Sequence, residues 1–88
     1  MLVMSLNHHN GVRINDAVNV TLHLRTDDSL SVDVCDERTG ATRTIQIARG
    51  GKCELPFDVT LTFVKNLDDR ARIAIESPRN RVKIERIG

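Results

Sequence analysis

The feature that most constrains this chain is a two-residue rhythm of apolar and polar side chains that recurs almost from end to end. Val18-Asn19-Val20-Thr21-Leu22-His23-Leu24 alternates without a break, and so do Leu30-Ser31-Val32-Asp33-Val34, Ile45-Gln46-Ile47 and Val59-Thr60-Leu61-Thr62-Phe63. Ala71-Arg72-Ile73-Ala74-Ile75 and Val82-Lys83-Ile84 continue it. In extended backbone, successive side chains point to opposite faces, so each stretch turns one face to a core and the other to water or a partner. Turn-forming residues separate the stretches: Asn10-Gly11, Asn15-Asp16, Asp27-Asp28, Thr39-Gly40, Gly50-Gly51, Asp68-Asp69 and Pro78. Helical periodicity is hard to find. Short strands at this spacing, with no helices between them, predict an all-β sandwich or barrel.

A core made by such strands must be filled with Val, Ile and Leu, because the chain has no Trp or Tyr and only two Phe. At 88 residues the chain makes one domain. Apolar residues at 40% argue against disorder. A net charge of +1 excludes a uniformly basic nucleic-acid coat. No apolar run approaches the roughly 20 residues that cross a bilayer. Met1–Leu6 lacks a basic flank and is too short for a secretory segment. Cys35 and Cys53 are the only cysteines, whereas secreted chains of this size usually carry several disulfides. They read as reduced thiols of a cytoplasmic protein, acting as small buried hydrophobes.

Catalytic and metal readings find no footing in the sequence. His8, His9, His23, Cys35 and Cys53 show no metal-ligand spacing. No glycine-rich phosphate loop or nucleophile elbow is present. The expectation is a protein that is not an enzyme and uses no small-molecule cofactor.

Charge is distributed unevenly. Residues 1–44 hold four basic and six acidic side chains, and residues 45–88 hold nine basic and six acidic. The stretch 70–88 carries Arg70, Arg72, Arg79, Arg81, Lys83 and Arg86 against Glu76 and Glu85, a footprint that a polyanion can use. The strands also repeat. A slide of 41 residues lays Val18 on Val59, Thr21 on Thr62 and Asp27-Asp28 on Asp68-Asp69. Val32 and Val34 then meet Ile73 and Ile75, and Arg38 meets Arg79. Such self-similarity points to one β unit present twice, each copy completing the other's core. The copies are residues 1–49 and 52–88, and only the first has an opening strand, Leu2 to Leu6.

Met1-Leu2-Val3-Met4-Ser5-Leu6, Gly11-Val12-Arg13-Ile14-Asn15-Asp16 and Val18-Asn19-Val20-Thr21-Leu22 together resemble the opening of the CsrA/RsmA carbon storage regulators. Ala71-Arg72-Ile73-Ala74-Ile75-Glu76-Ser77-Pro78 and Val82-Lys83-Ile84-Glu85-Arg86 resemble that family's fourth and fifth strands. In the first copy, Ile45-Gln46-Ile47-Ala48-Arg49 stands for the fifth strand, after a longer loop and with Glu37 where the family has proline. Members of the family are intertwined homodimers of five-stranded subunits, each followed by a helix. They regulate translation by binding GGA-containing RNA loops between strand one of one subunit and strand five of the other. The resemblance implies a pseudo-dimeric duplication within one chain, an intertwined fold of about nine short strands without the trailing helix. It further implies an RNA-binding regulator of translation or message stability.

The implied site joins Met4, Leu6 and Asn7 to Val82, Ile84 and Arg86, with the first strand lying beside the last. Arg81 and Lys83 are accessory phosphate contacts, together with Arg79. Arg49 belongs to a second, incomplete site. A guanidinium such as that of Arg86 reaches phosphate or the acceptor edge of guanine bidentately. Leu6 and Asn7 stand where the family usually has two basic residues, and His8-His9 follow. With Phe63 assigned to the core, base stacking on aromatic rings is not the expected mode. The alternative is a protein that keeps the fold without binding RNA and pairs its strand edges with a protein partner, such as a second copy or a member of the same family.

Overall fold

The computed structural model describes residues 1–77 and 82–88, and nine strands lie among them: the six alternating stretches and three more. These are β1 (Leu2–Leu6), β2 (Gly11–Ile14), β3 (Val18–Arg25), β4 (Ser29–Asp36), β5 (Ala41–Ala48), β6 (Lys52–Leu55), β7 (Val59–Asn66), β8 (Ala71–Glu76) and β9 (Ile84–Ile87). A 3-10 turn, Pro56–Asp58, joins β6 to β7. The strands build two antiparallel sheets, one ordered β1-β8-β7-β6 and the other β5-β4-β3-β2-β9. The all-β sandwich expected from the alternation is the observed architecture. No helix among the described residues is long and apolar enough to cross a membrane.

Several strand boundaries differ from those read in the sequence, among them that of β7, which runs on from Phe63 to Asn66. The fifth strand begins at Ala41, four residues before Ile45, because its hairpin with β4 holds register from Asp36↔Ala41 to Ser29↔Ala48. Ala41 to Thr44 are exposed on both faces of this outer strand, so no apolar rhythm marks them. The last strand begins at Ile84, and Val82 and Lys83 precede it. The turn residue Pro78 lies outside the described residues, as do Arg79 and Arg81.

The pairing geometry recurs at the offset seen in the sequence. Val20↔Val34 and Leu22↔Val32 in the five-stranded sheet become Leu61↔Ile75 and Phe63↔Ile73 in the four-stranded one. The register shift between Leu22 and Leu24 becomes one between Phe63 and Lys65. Val12↔Val20 and Ile14↔Val18 likewise become Cys53↔Leu61 and Leu55↔Val59. Inward-facing branched side chains fix this register, since a slip of one residue would turn every one of them to water.

Outer strands cross between the halves. β1, from the first half, pairs with β8, and β9, from the second half, pairs with β2. One core therefore draws on both, with Leu6, Ile14, Val20, Leu30 and Val32 packed in the same cluster as Leu61, Phe63, Ile73 and Ile75. Burying each such side chain contributes about 1.5–3 kcal/mol. Phe63 is wholly buried, as its place in the alternation requires. Cys35 and Cys53 are free thiols only half-buried, not the fully buried hydrophobes expected. Cys35 lies in phase with Ser31 and Asp33 on the outward face of β4, opposite Asn19 and Thr42, whereas Cys53 faces the core opposite Leu61 on the outer strand β6.

The two long hairpins are tied together at their tips. Arg25 Nη1 donates to the carbonyls of Leu67 (2.9 Å) and Arg70 (3.1 Å), and Nη2 to that of Asp68 (3.2 Å). Asn66, which stands 41 positions after Arg25, donates in return to the Thr26 carbonyl.

Candidate nucleic-acid interface

Sheet order decides which strands border which. β5 lies against β6 and β7, so the opposite margin of the sandwich is bordered by β1 from one sheet and β9 from the other. The two strands are not hydrogen-bonded to each other. β1 is laddered to β8 from Leu2↔Ile75 to Leu6↔Ala71, and β9 to β2 from Gly11↔Ile87 to Ile14↔Ile84. The expectation that strand one lies beside the last strand is thereby corrected: they are facing edges of opposite sheets. Stacked sheets stand roughly 10 Å apart, too far for a ladder and close enough for one ligand to touch both edges.

On β1 the implied site residues offer backbone rather than side chains. Met4 and Leu6 are buried at 8% and 0% exposure and face the core. Asn7 serves the turn that follows, where its Oδ1 accepts the His9 N–H at 2.8 Å. Its own N–H donates to Asn10 Oδ1 at 2.8 Å, and Asn10 Nδ2 reaches the Ser5 carbonyl. His8 and His9 are exposed in this turn. Leu2 and Val3 are exposed along the edge, at 44% and 52%. The outer edge of β1 keeps backbone donors and acceptors that no strand uses.

On β9 the residues differ in availability. Directly opposite residues of a ladder share a face. Ile84 and Arg86 stand opposite Ile14 and Val12, both core residues, so they occupy the face of β9 turned toward the other sheet. Ile84 and Val82 are half-buried against the core. Arg86 is exposed and has no ion-pair partner among the described residues. Lys83 is different: its ammonium lies 3.2 Å from Glu85 and 3.5 Å from Asp16. The hydrogen bond it donates to Glu85 and the charge of Asp16 raise its pKa. It is a cation already neutralised.

Register also assembles two cations that the sequence reading did not join to the site. Ser5 on β1 stands opposite Arg72 on β8, and Arg72 opposite Lys65 on β7. Both cations are exposed, and neither is in an ion pair among the described residues. They form a basic row running from β1 across the outer face of the four-stranded sheet. Period-two placement of Arg72 was visible in the sequence; the pairing of β1 with β8 was not.

Arg49 is not brought to this margin. It follows β5, the outer strand at the far side of its sheet, roughly 19 Å from β9 at four strand spacings. Its N–H donates to the Asp28 carbonyl and its side chain is exposed. Phe57, the remaining aromatic, lies under the Arg38 guanidinium at 4.2 Å and is unavailable for a base. Among the described residues, no group of three or more His, Cys, Asp or Glu side chains could hold a metal ion. A cleft of about 420 Å³ lies at the tied hairpin tips, away from the β1–β9 margin, and is lined by His8, Leu24, Arg25, Asp27, Asn66 and Asp68 among others.

In comparison with known proteins, the chain matches no family model, no curated protein and no solved structure.

Proposed function

We propose that the chain is an RNA-binding regulator of the CsrA/RsmA kind, holding one GGA-type RNA loop at the margin between β1 and β9 and thereby controlling translation or message stability. The observation that carries this reading is the exchange of outer strands. An edge from the first half and an arginine-bearing edge from the second border the same margin, as in the intertwined dimers the sequence resembles. Three cations without an ion-pair partner among the described residues belong to this region: Arg86 on β9, and Arg72 and Lys65 in the row that leads inward from β1 across β8 and β7. The β1 edge supplies backbone groups for bases, and the cations supply phosphate contacts, which contribute much of the affinity for nucleic acid.

On this reading the protein has one RNA site per chain. The far margin has Arg49 but lacks a first strand of the second copy, and β5 fills the corresponding place beside β4. The second reading, a protein-binding module, is favoured by Leu6 and Asn7. One is buried and the other is engaged in a turn, so β1 itself brings no cation to the edge.

Titration of a labelled GGA hairpin in mobility-shift assays separates the two. Wild type is expected to bind one hairpin per chain. Arg86→Ala is expected to weaken binding about tenfold and to reduce the salt slope by about 0.7, while Arg49→Ala leaves both unchanged. Absence of a shift at low salt, or equal losses in the two variants, rejects the RNA reading.

A further inference from the structure

The two sheets match strand for strand except at one position. In the five-stranded sheet the outer edge of β2 is covered by β9, in the register Gly11↔Ile87 to Ile14↔Ile84. The strand 41 positions later, β6, pairs with β7 just as β2 pairs with β3, yet nothing is laddered to its other edge among the described residues. Gly51 accepts the Phe63 N–H, so by antiparallel alternation Cys53 and Leu55 bond inward and Lys52 and Glu54 turn their backbone groups outward. β5 of the other sheet approaches this margin, and the hydrogen bond it makes to the outward groups of β6 among the described residues is long, 3.4 Å, from Arg43 Nη2 to the Glu54 carbonyl. An edge of two outward residues is thus held by a single side chain where its counterpart has a strand.

Charge defines what fits. Glu54, Thr60 and Glu76 form one row across the outer face of the four-stranded sheet, and Asp58 adjoins Thr60. Glu54, Asp58 and Glu76 have no cationic partner among the described residues. In the other sheet, the position matching Glu54 is Arg13, which stands opposite Glu85 of β9. Complementarity at β6 therefore requires the inverse: a basic residue opposite Glu54 and an acidic one opposite Lys52. An aliphatic residue belongs opposite Leu55, as Ile84 stands opposite Ile14. A second copy fits poorly, since its β9 would set Glu85 against Glu54. A polyanion is repelled by the same carboxylates.

We infer that the open edge of β6 is a docking site for an extended segment of a partner protein, antiparallel and of the pattern aliphatic–basic–any–acidic, which completes the four-stranded sheet. This is strand addition, in which backbone hydrogen bonds give affinity and alternate side chains give specificity. The Arg43 guanidinium must release Glu54 when the segment enters. The site lies on the margin opposite β1 and β9, so its existence is independent of the RNA reading.

The probes are two capped peptides, Thr-Ile-Lys-Val-Glu-Thr and its charge-swapped form Thr-Ile-Glu-Val-Lys-Thr, titrated by NMR against the full chain at low salt. The first is expected to bind about fivefold more tightly than the second, and to slow exchange of the Lys52 and Glu54 amides. The exposed double variant Lys52→Glu/Glu54→Lys, which leaves the core untouched, is expected to reverse the preference. Equal binding of both peptides, no binding at millimolar concentration, or protection at β1 or β9 instead overturns the inference. So does a concentration-dependent doubling of mass in the chain alone with protection at β6, which would make a second copy the occupant.

Discussion

The two sheets repeat one register and have opposite outer faces. On the five-stranded sheet, Arg13 binds both carboxylate oxygens of Glu37 (3.1 and 2.9 Å) and also Asn19. Lys83 lies between Asp16 and Glu85, and His23 reaches Asp33, which accepts from Thr44 at 2.6 Å. On the four-stranded sheet, a basic row, Arg72 and Lys65, runs apart from the unpaired carboxylates Glu54, Asp58 and Glu76. Inward alternation holds the strand register in both sheets, and nothing in that register constrains what points outward. One face has therefore settled into internal hydrogen bonds and ion pairs, while the other, among the described residues, leaves these charges unpaired and both outer strands of its sheet, β1 and β6, with an unladdered edge.

The comparison is broken most forcefully in the core. Phe63 and Leu22 occupy matching positions, but Phe63 is wholly buried and Leu22 is 8% exposed. Phe63→Ala is expected to cost about 3–5 kcal/mol, and Leu22→Ala about 2–3 kcal/mol, in urea denaturation followed by circular dichroism. Equal losses would mean that the two sheets contribute alike to the shared core.

A smaller effect probes the tie between hairpin tips. Arg25→Ala removes the donor for three backbone carbonyls and is expected to lose about 1–3 kcal/mol by the same measurement. Asn66→Ala, its counterpart in the other sheet, removes the bond donated to the Thr26 carbonyl and a long one, 3.5 Å, accepted from Arg25 Nη1, and is expected to lose less. The reverse order would show that the second hairpin, not the first, holds the tips together.

The smallest effect concerns acid. Hydrogen bonds from Thr44, Arg38 and Arg13 hold Asp33, Asp36 and Glu37, respectively, below the usual carboxylate range. A carboxylate with a lowered folded-state pKa adds stability that is complete above its ordinary value, about 4, and is lost as pH falls through the lowered value. All three lie in β4 or its following turn. Amide protection factors in β4 and β5 are therefore expected to fall between about pH 5 and pH 3, ahead of those in β7 and β8. Glu37→Gln should flatten part of that decline. Simultaneous loss in both sheets would show that these side-chain bonds do not set the acid limit.

Much of this was legible in the residues. Alternation placed Val20, Val32, Leu61, Phe63 and Ile75 in the core, and the 41-residue offset recurs in the strand pairs. Ala41 to Thr44 escaped detection because an outer strand exposed on both faces needs no apolar rhythm. At the candidate site, Arg86 was legible as a cation in an alternating segment. Its isolation from any carboxylate was not, nor was the neutralisation of the nearby Lys83. Met4 and Leu6 show the same limit, since alternation cannot say that a strand at a sheet's edge still buries its inward side chains completely.

The sequence by itself determined the alternating strands and their inward faces, because side-chain direction in extended backbone depends only on position along the chain. Tertiary structure decided which strands became neighbours. Backbone hydrogen bonding is indifferent to sequence, so the pairing of β1 with β8 and of β9 with β2 follows from the joint burial of both halves. That same packing left β6 with an open edge.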